Sequence, residues 1–115
     1  MTRMTFTFIS DDAHGWLKVT SEQATKLGIT HDDLTEYSYM DGEGTLYAEE
    51  DCDYATVWAA HLRKYAMPAE VRHVPVPGSS HVRTLGRCGG RHPRYGEAMD
   101  WLRERDAQMN KEAGV

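Results

Sequence analysis

Three groups of side chains in this sequence are of types that do chemistry. The first is the run Glu49-Glu50-Asp51-Cys52-Asp53, with Asp41 and Glu43 on the turn before it. Closely spaced carboxylates either start a helix, whose dipole favours negative charge, or face outward as a surface that fits a basic groove. Calcium or magnesium would need oxygens converging in a loop of defined spacing, and that pattern is missing from the run. The second group is Arg83, Arg87, Arg91 and Arg94, three to four positions apart among Gly86, Gly89, Gly90 and Gly96. Such a backbone could approach phosphates while the guanidinium forks bind them, or it could be a solvated loop whose arginines pair with acids of the same chain.

The third group is built on histidines. Asp11, Asp12, His14 and Trp16 could place two carboxylates, an imidazole and an indole in one pocket, where a small hydrolase or metal enzyme would work. Aspartates at such positions also form turns without any chemistry, and the same holds for His31-Asp32-Asp33. His81, Cys88 and His92 are ligand types, but a zinc site would need a fourth group such as His73 or Cys52 and the paired close spacings that are missing here. The chain shows no GxSxG, phosphate-binding P-loop, HExxH or cysteine-protease signature. No catalytic residue, metal or cofactor is therefore assigned, and the function expected is binding.

The elements that must position these groups follow from periodicity. Ala55, Trp58, Ala59, Leu62, Tyr65 and Ala66 recur at helical spacing, which predicts a main helix over Cys52 to Ala66, N-capped by Asp51 and stopped by Met67-Pro68. Tyr37–Met40 and Thr45–Ala48 alternate about Asp41-Gly42-Glu43-Gly44 and predict a hairpin leading into the acidic run. Met4 to Ile9 reads as a strand with Met4, Phe6 and Phe8 on one face, and Trp16 to Val19 as a second strand. Thr20 with Gln23 forms a capping box for a short helix closed by Gly28, and Thr30 with Asp33 repeats the signal for one turn. Glu70 to Val74 is strand-like, but Pro75 and Pro77 confine it to an edge or a connector. Residues 78–96 form a glycine- and arginine-rich loop with a short strand expected around Val82 to Leu85. A final helix over Tyr95 to Lys111 carries Tyr95, Ala98, Met99, Leu102 and Met109 on one side; it either caps the sheet or pairs with a second copy, so a homodimer through it is one expectation.

At 115 residues the chain is expected to be one α+β domain: a small antiparallel sheet against one main helix, with a C-terminal helix. No apolar run approaches the roughly 20 residues that span a bilayer. The opening MTRMTFTFIS lacks the apolar stretch of a signal peptide, so a cytoplasmic location with two free, inert thiols is expected. Residues 1–60 hold twelve acids against three bases and residues 61–115 six acids against ten bases, within a net charge of −5. Either the halves pair internally or the molecule has two oppositely charged faces.

The order HGWLKV (His14 to Val19), LGI (Leu27 to Ile29), YSY (Tyr37 to Tyr39) and YAEEDCD (Tyr47 to Asp53) resembles small uncharacterised proteins found on phages and plasmids. The likeness covers about the first 60 residues. It implies an accessory or counter-defence context, for example inhibition of a CRISPR-type complex, in which a surface is occupied and nothing is turned over. The leading expectation is thus a non-enzymatic interaction protein that meets a protein or nucleoprotein complex through Asp41, Glu43, Glu49, Glu50, Asp51 and Asp53. The alternative is a nucleic-acid-binding accessory protein using the arginine loop.

Overall fold

A computed structural model describes residues 3–112, and among these the chain forms six strands and three α-helices. In chain order they are β1 (Thr5–Ser10), β2 (Gly15–Val19), α1 (Ser21–Leu27), β3 (Tyr39–Met40), β4 (Leu46–Glu49), α2 (Tyr54–Tyr65), β5 (Glu70–Pro75), β6 (Gly86–Arg87) and α3 (Tyr95–Glu112). The fold is α+β, as the alternation and helical spacing imply. The strands make one sheet in the order β5-β1-β2-β4-β3-β6. It is mixed and not antiparallel throughout as expected: the α2 crossover returns the chain to the same end of the sheet, so β5 lies parallel to β1, and every other pair is antiparallel. As its prolines require, β5 is an edge strand.

Strand alternation sends side chains to two layers. On one side Phe6, Leu17, Val19, Leu46 and Ala48 pack under Val57 of α2, together with Ala24, Ile29, Leu34 and Cys88; Met4 and Phe8 join Phe6 there. Gly15 permits this packing, because a Cβ at that position would lie 2.2 Å from Cζ of Phe8. On the other side Ile9, Trp16, Tyr39 and Tyr47 pack against Val82, Val76 and Leu85, with no α-helix in that cluster.

Helix α2 begins two residues later than its sequence predicts and is rotated. Its buried residues are Thr56, Val57, Ala59, His61 and Leu62, while Ala55, Trp58 and Tyr65 are half-buried and Ala66 is exposed. An imidazole can face the core because both ring nitrogens are satisfied. Nε2 of His61 accepts from the Met4 amide at 3.0 Å, leaving Nδ1 to donate to the Met67 carbonyl at 3.0 Å. Trp58 packs against the edge of this core and, with Leu62, lines a groove between α2 and α3 together with Met99, Leu102 and Met109. Along α3 only Ala98 is buried, and the helix packs chiefly on α2.

The expected strand at Val82 to Leu85 is a 3-10 turn, His81–Thr84, and the strand residues are Gly86 and Arg87. Local bonds decide it: Ser80 Oγ accepts from the Val82 amide and Thr84 Oγ1 donates to the His81 carbonyl. The capping box at Thr20 and Gln23 forms as the sequence indicates, and Gly28 closes α1 at φ 70°. No helix among the described residues is long and apolar enough to cross a membrane.

Candidate functional site: a cleft at the acidic end of the sheet

The end of β4 passes into a turn whose carboxylates have different fates. Asp51 is not the helix cap. Glu49, 6% exposed, accepts through Oε2 from the amides of Asp51 and Cys52 at 2.8 and 2.9 Å, folding the turn around itself. Asp53 is wholly buried: it accepts from the Thr35 amide, from Thr35 Oγ1 at 2.6 Å and from Ser38 Oγ. Ser38 Oγ in turn accepts from the Glu49 amide at 2.9 Å, so the loop before β3 is fastened to the acidic turn. Asp53 is thereby removed from any partner surface. Asp41 is also engaged, accepting from the amides of Glu43 and Thr45, which holds its carboxyl below the ordinary range. Glu43, Glu50 and Asp51 remain exposed. Glu49, Glu50 and Asp51 each place one oxygen within 4.8 Å of the others.

Glu49 and Asp51 line a cleft of about 330 Å3 together with His14, Trp16, Tyr37, Tyr39, Cys52, Arg83 and Arg87. The sequence suggested a pocket at His14 and Trp16, and the structure brings both into one. The carboxylates beside them, Glu49 and Asp51, come from the end of β4 and the turn after it and not from Asp11 and Asp12. Nδ1 of His14 stands 3.8 Å from Oε1 of Glu49. Arg83 lies over the Trp16 ring at 5.3 Å, Trp16 meets Tyr39 edge-on at 6.1 Å, and Arg87 lies over Tyr39 at 5.4 Å. Two stacked guanidinium groups therefore flank an aromatic floor. Tyr37, 56% exposed, stands at the mouth. Cys52 at the rim stays a thiol, because burial and the charge of Glu49 push it up to about 11.

Asp11 does a different job from the one its neighbours suggested. Its fully covered carboxylate takes Nε and Nη2 of Arg83 at 2.7 and 3.0 Å and the amides of Ser80, His14 and Ala13. Arg83 leads the causes that hold Asp11 far below the usual carboxylate range. This clip fixes the 78–85 segment over the Trp16 layer. The remaining arginines are also partly engaged: Arg87 donates to the Glu36 carbonyl at 3.1 Å and Arg94 to Glu97 at 3.2 Å, while Arg91 is exposed. The two charged halves of the chain thus meet at Asp11–Arg83 and at Arg3–Glu70, and the exposed carboxylates of the acidic turn form no ion pair with arginine or lysine among the described residues.

Periodicity could not reveal Tyr39, Arg83 and Arg87 as cleft residues, because β3 and β6 are two residues long and their pairing is non-local. Comparison with protein-family models, curated proteins and solved structures finds no match for this chain.

Proposed function

We propose that the chain is a non-enzymatic interaction protein of the mobile-element accessory type, which occupies a basic surface of a host defence or other nucleoprotein complex. The observation that supports this reading is the acidic lip of Glu49, Glu50 and Asp51 beside exposed Tyr37, on a turn at the cleft that internal bonds already hold in shape. A partner's arginine or lysine at that lip meets the carboxylates and the exposed Tyr37 ring, outside the Trp16 and Tyr39 rings that Arg83 and Arg87 already cover. An aromatic anchor next to a rigid charged rim is the composition in which binding energy concentrates. Nucleic-acid binding by the arginine loop has less support, because Arg83, Arg87 and Arg94 have internal partners.

The test is capture from host-cell lysate on the immobilised full chain, followed by affinity measurement with the partner recovered. Charge reversal in Glu50→Lys with Asp51→Lys leaves the fold intact, since both side chains are exposed. It should weaken binding more than tenfold, about 1.4 kcal/mol. Undiminished binding by that variant rejects the reading.

A further inference from the structure

On the helical side of the sheet, the end of α1, one flank of α2 and the first turn of α3 enclose a second hollow of about 320 Å3. Thr56, Ala60, Arg63 and Lys64 stand at helical spacing and so present a single stripe to it. Lys26 arrives from α1 and Arg94 from the residue before α3. Against these four cations stand two acids, Asp33 and Glu97. The hollow reverses the sign of a chain whose net charge is −5.

The acids are already engaged and two of the cations are not. Oδ2 of Asp33 accepts from the Thr30 amide at 2.8 Å, and Glu97 is held by Arg94. Arg63 rests over the Trp101 ring at 4.6 Å, a contact that uses its face and leaves its N–H edge available. Neither Arg63 nor Lys64 has a carboxylate within ion-pair distance among the described residues. A second, independent feature is Thr56, which is 7% exposed, lines the hollow and has no hydrogen-bond partner for Oγ1. A buried hydroxyl left without a partner is costly unless something supplies one. The third is α3 itself: Arg94 ahead of it carries donors alone and cannot cap the helix through its side chain, and of the two first-turn residues that line the hollow Ala98 donates to the Arg94 carbonyl at 2.9 Å, which leaves the Glu97 amide for an anion.

We propose that this hollow is a binding site for a phosphate-bearing anion, with one phosphoryl group held among Arg63, Lys64 and Arg94 and reached by the Thr56 hydroxyl and the Glu97 amide. Its volume suits a small ligand. The phosphoryl group belongs either to a small solute or to a nucleic-acid backbone, and the chemistry of recognition is the same.

Inorganic pyrophosphate titrated into the full chain at low salt, followed by calorimetry or amide chemical shifts, is the direct test. Saturable binding is expected, with the largest shifts at residues 56–64 and 94–98. Arg63→Gln with Lys64→Gln, both exposed, should lower affinity at least tenfold, whereas Arg103→Gln with Arg105→Gln, outside the hollow, should leave it unchanged. The absence of saturation up to about 10 mM overturns the proposal. So does equal loss in the two double variants, which would mean general attraction by positive charge. Competition by a single-stranded oligonucleotide assigns the site to a nucleic-acid phosphate; pyrophosphate binding without competition assigns it to a small solute.

Discussion

The two faces of the sheet are closed in different ways. One is roofed by α2, whose Val57 and His61 are driven onto Phe6, Leu17 and Val19. The other is covered by the segment from Val76 to Leu85, which holds Trp16, Tyr39 and Tyr47 with a few apolar contacts and the Asp11–Arg83 clip. A regular helix covers its layer through many equivalent contacts, and damage to one of them is felt by the whole cooperative unit. A strap fastened by one carboxylate can open without the rest of the molecule unfolding. The cleft proposed as the binding surface has Arg83 in its wall, so it depends on the strap.

The largest effect should come from the roofed layer. Leu17→Ala empties a fully covered position, and about 2–5 kcal/mol of stability should be lost, read as a lower denaturant midpoint. Leu62→Ala, between α2 and α3, belongs at the lower end, about 2 kcal/mol; a change below about 0.5 would show that α3 does not pack on α2.

Acid should separate the two faces. Burial lowers the pKa of His61 from its ordinary 6.5, so the folded state binds fewer protons there than the unfolded chain. Its contribution is complete above pH 6.5 and declines as pH falls through that window, when protonation of Nε2 removes the acceptor for the Met4 amide. Asp11 has the same sign in a lower window: its contribution is present above the ordinary 3.8 and is lost only as pH falls towards its depressed folded value. Between pH 6.5 and 3.8 the helical layer should weaken while the strap stays fastened, and His61→Gln should flatten the decline in thermal midpoint.

Asp11→Ala sharpens the comparison from the other side. Hydrogen exchange should accelerate in residues 78–85 and leave α2 protected; acceleration spread evenly over both layers would erase the distinction. The smallest effect is a gain. Ala66 holds φ 57° at the end of α2, and Ala66→Gly should stabilise by about 1 kcal/mol in equilibrium unfolding.

Much of this architecture was legible. Alternation gave β1, β2 and the hairpin, the Thr20 capping box and Gly28 bounded α1, and two prolines marked β5 as an edge. The acidic run was legible as a charged turn, but its division was not. Asp53 is buried because Thr35 and Ser38, eighteen and fifteen residues earlier, aim hydroxyls and an amide at it, and no pattern within the run contains that information. The orientation of α2 was misread for a similar reason. Ala55 and Tyr65 share the helical stripe yet are only half-buried, whereas Thr56, Val57 and His61 are buried, and an imidazole can lie there because Met4 and Met67 satisfy its ring. The clip at Asp11 joins residues 72 apart and lies beyond any local signal.

The parallel pairing of β5 with β1 has a consequence for synthesis. Thr5 opposes Glu70, 65 positions later, so the outer edge of the first strand stays bare until more than half of the chain has been made. The β1–β2 hairpin can close early, but with one row of amides and carbonyls open to any other extended chain. In a crowded cell, the arrival of Glu70 to Pro75 at that edge is the step that decides between a finished fold and an aggregate.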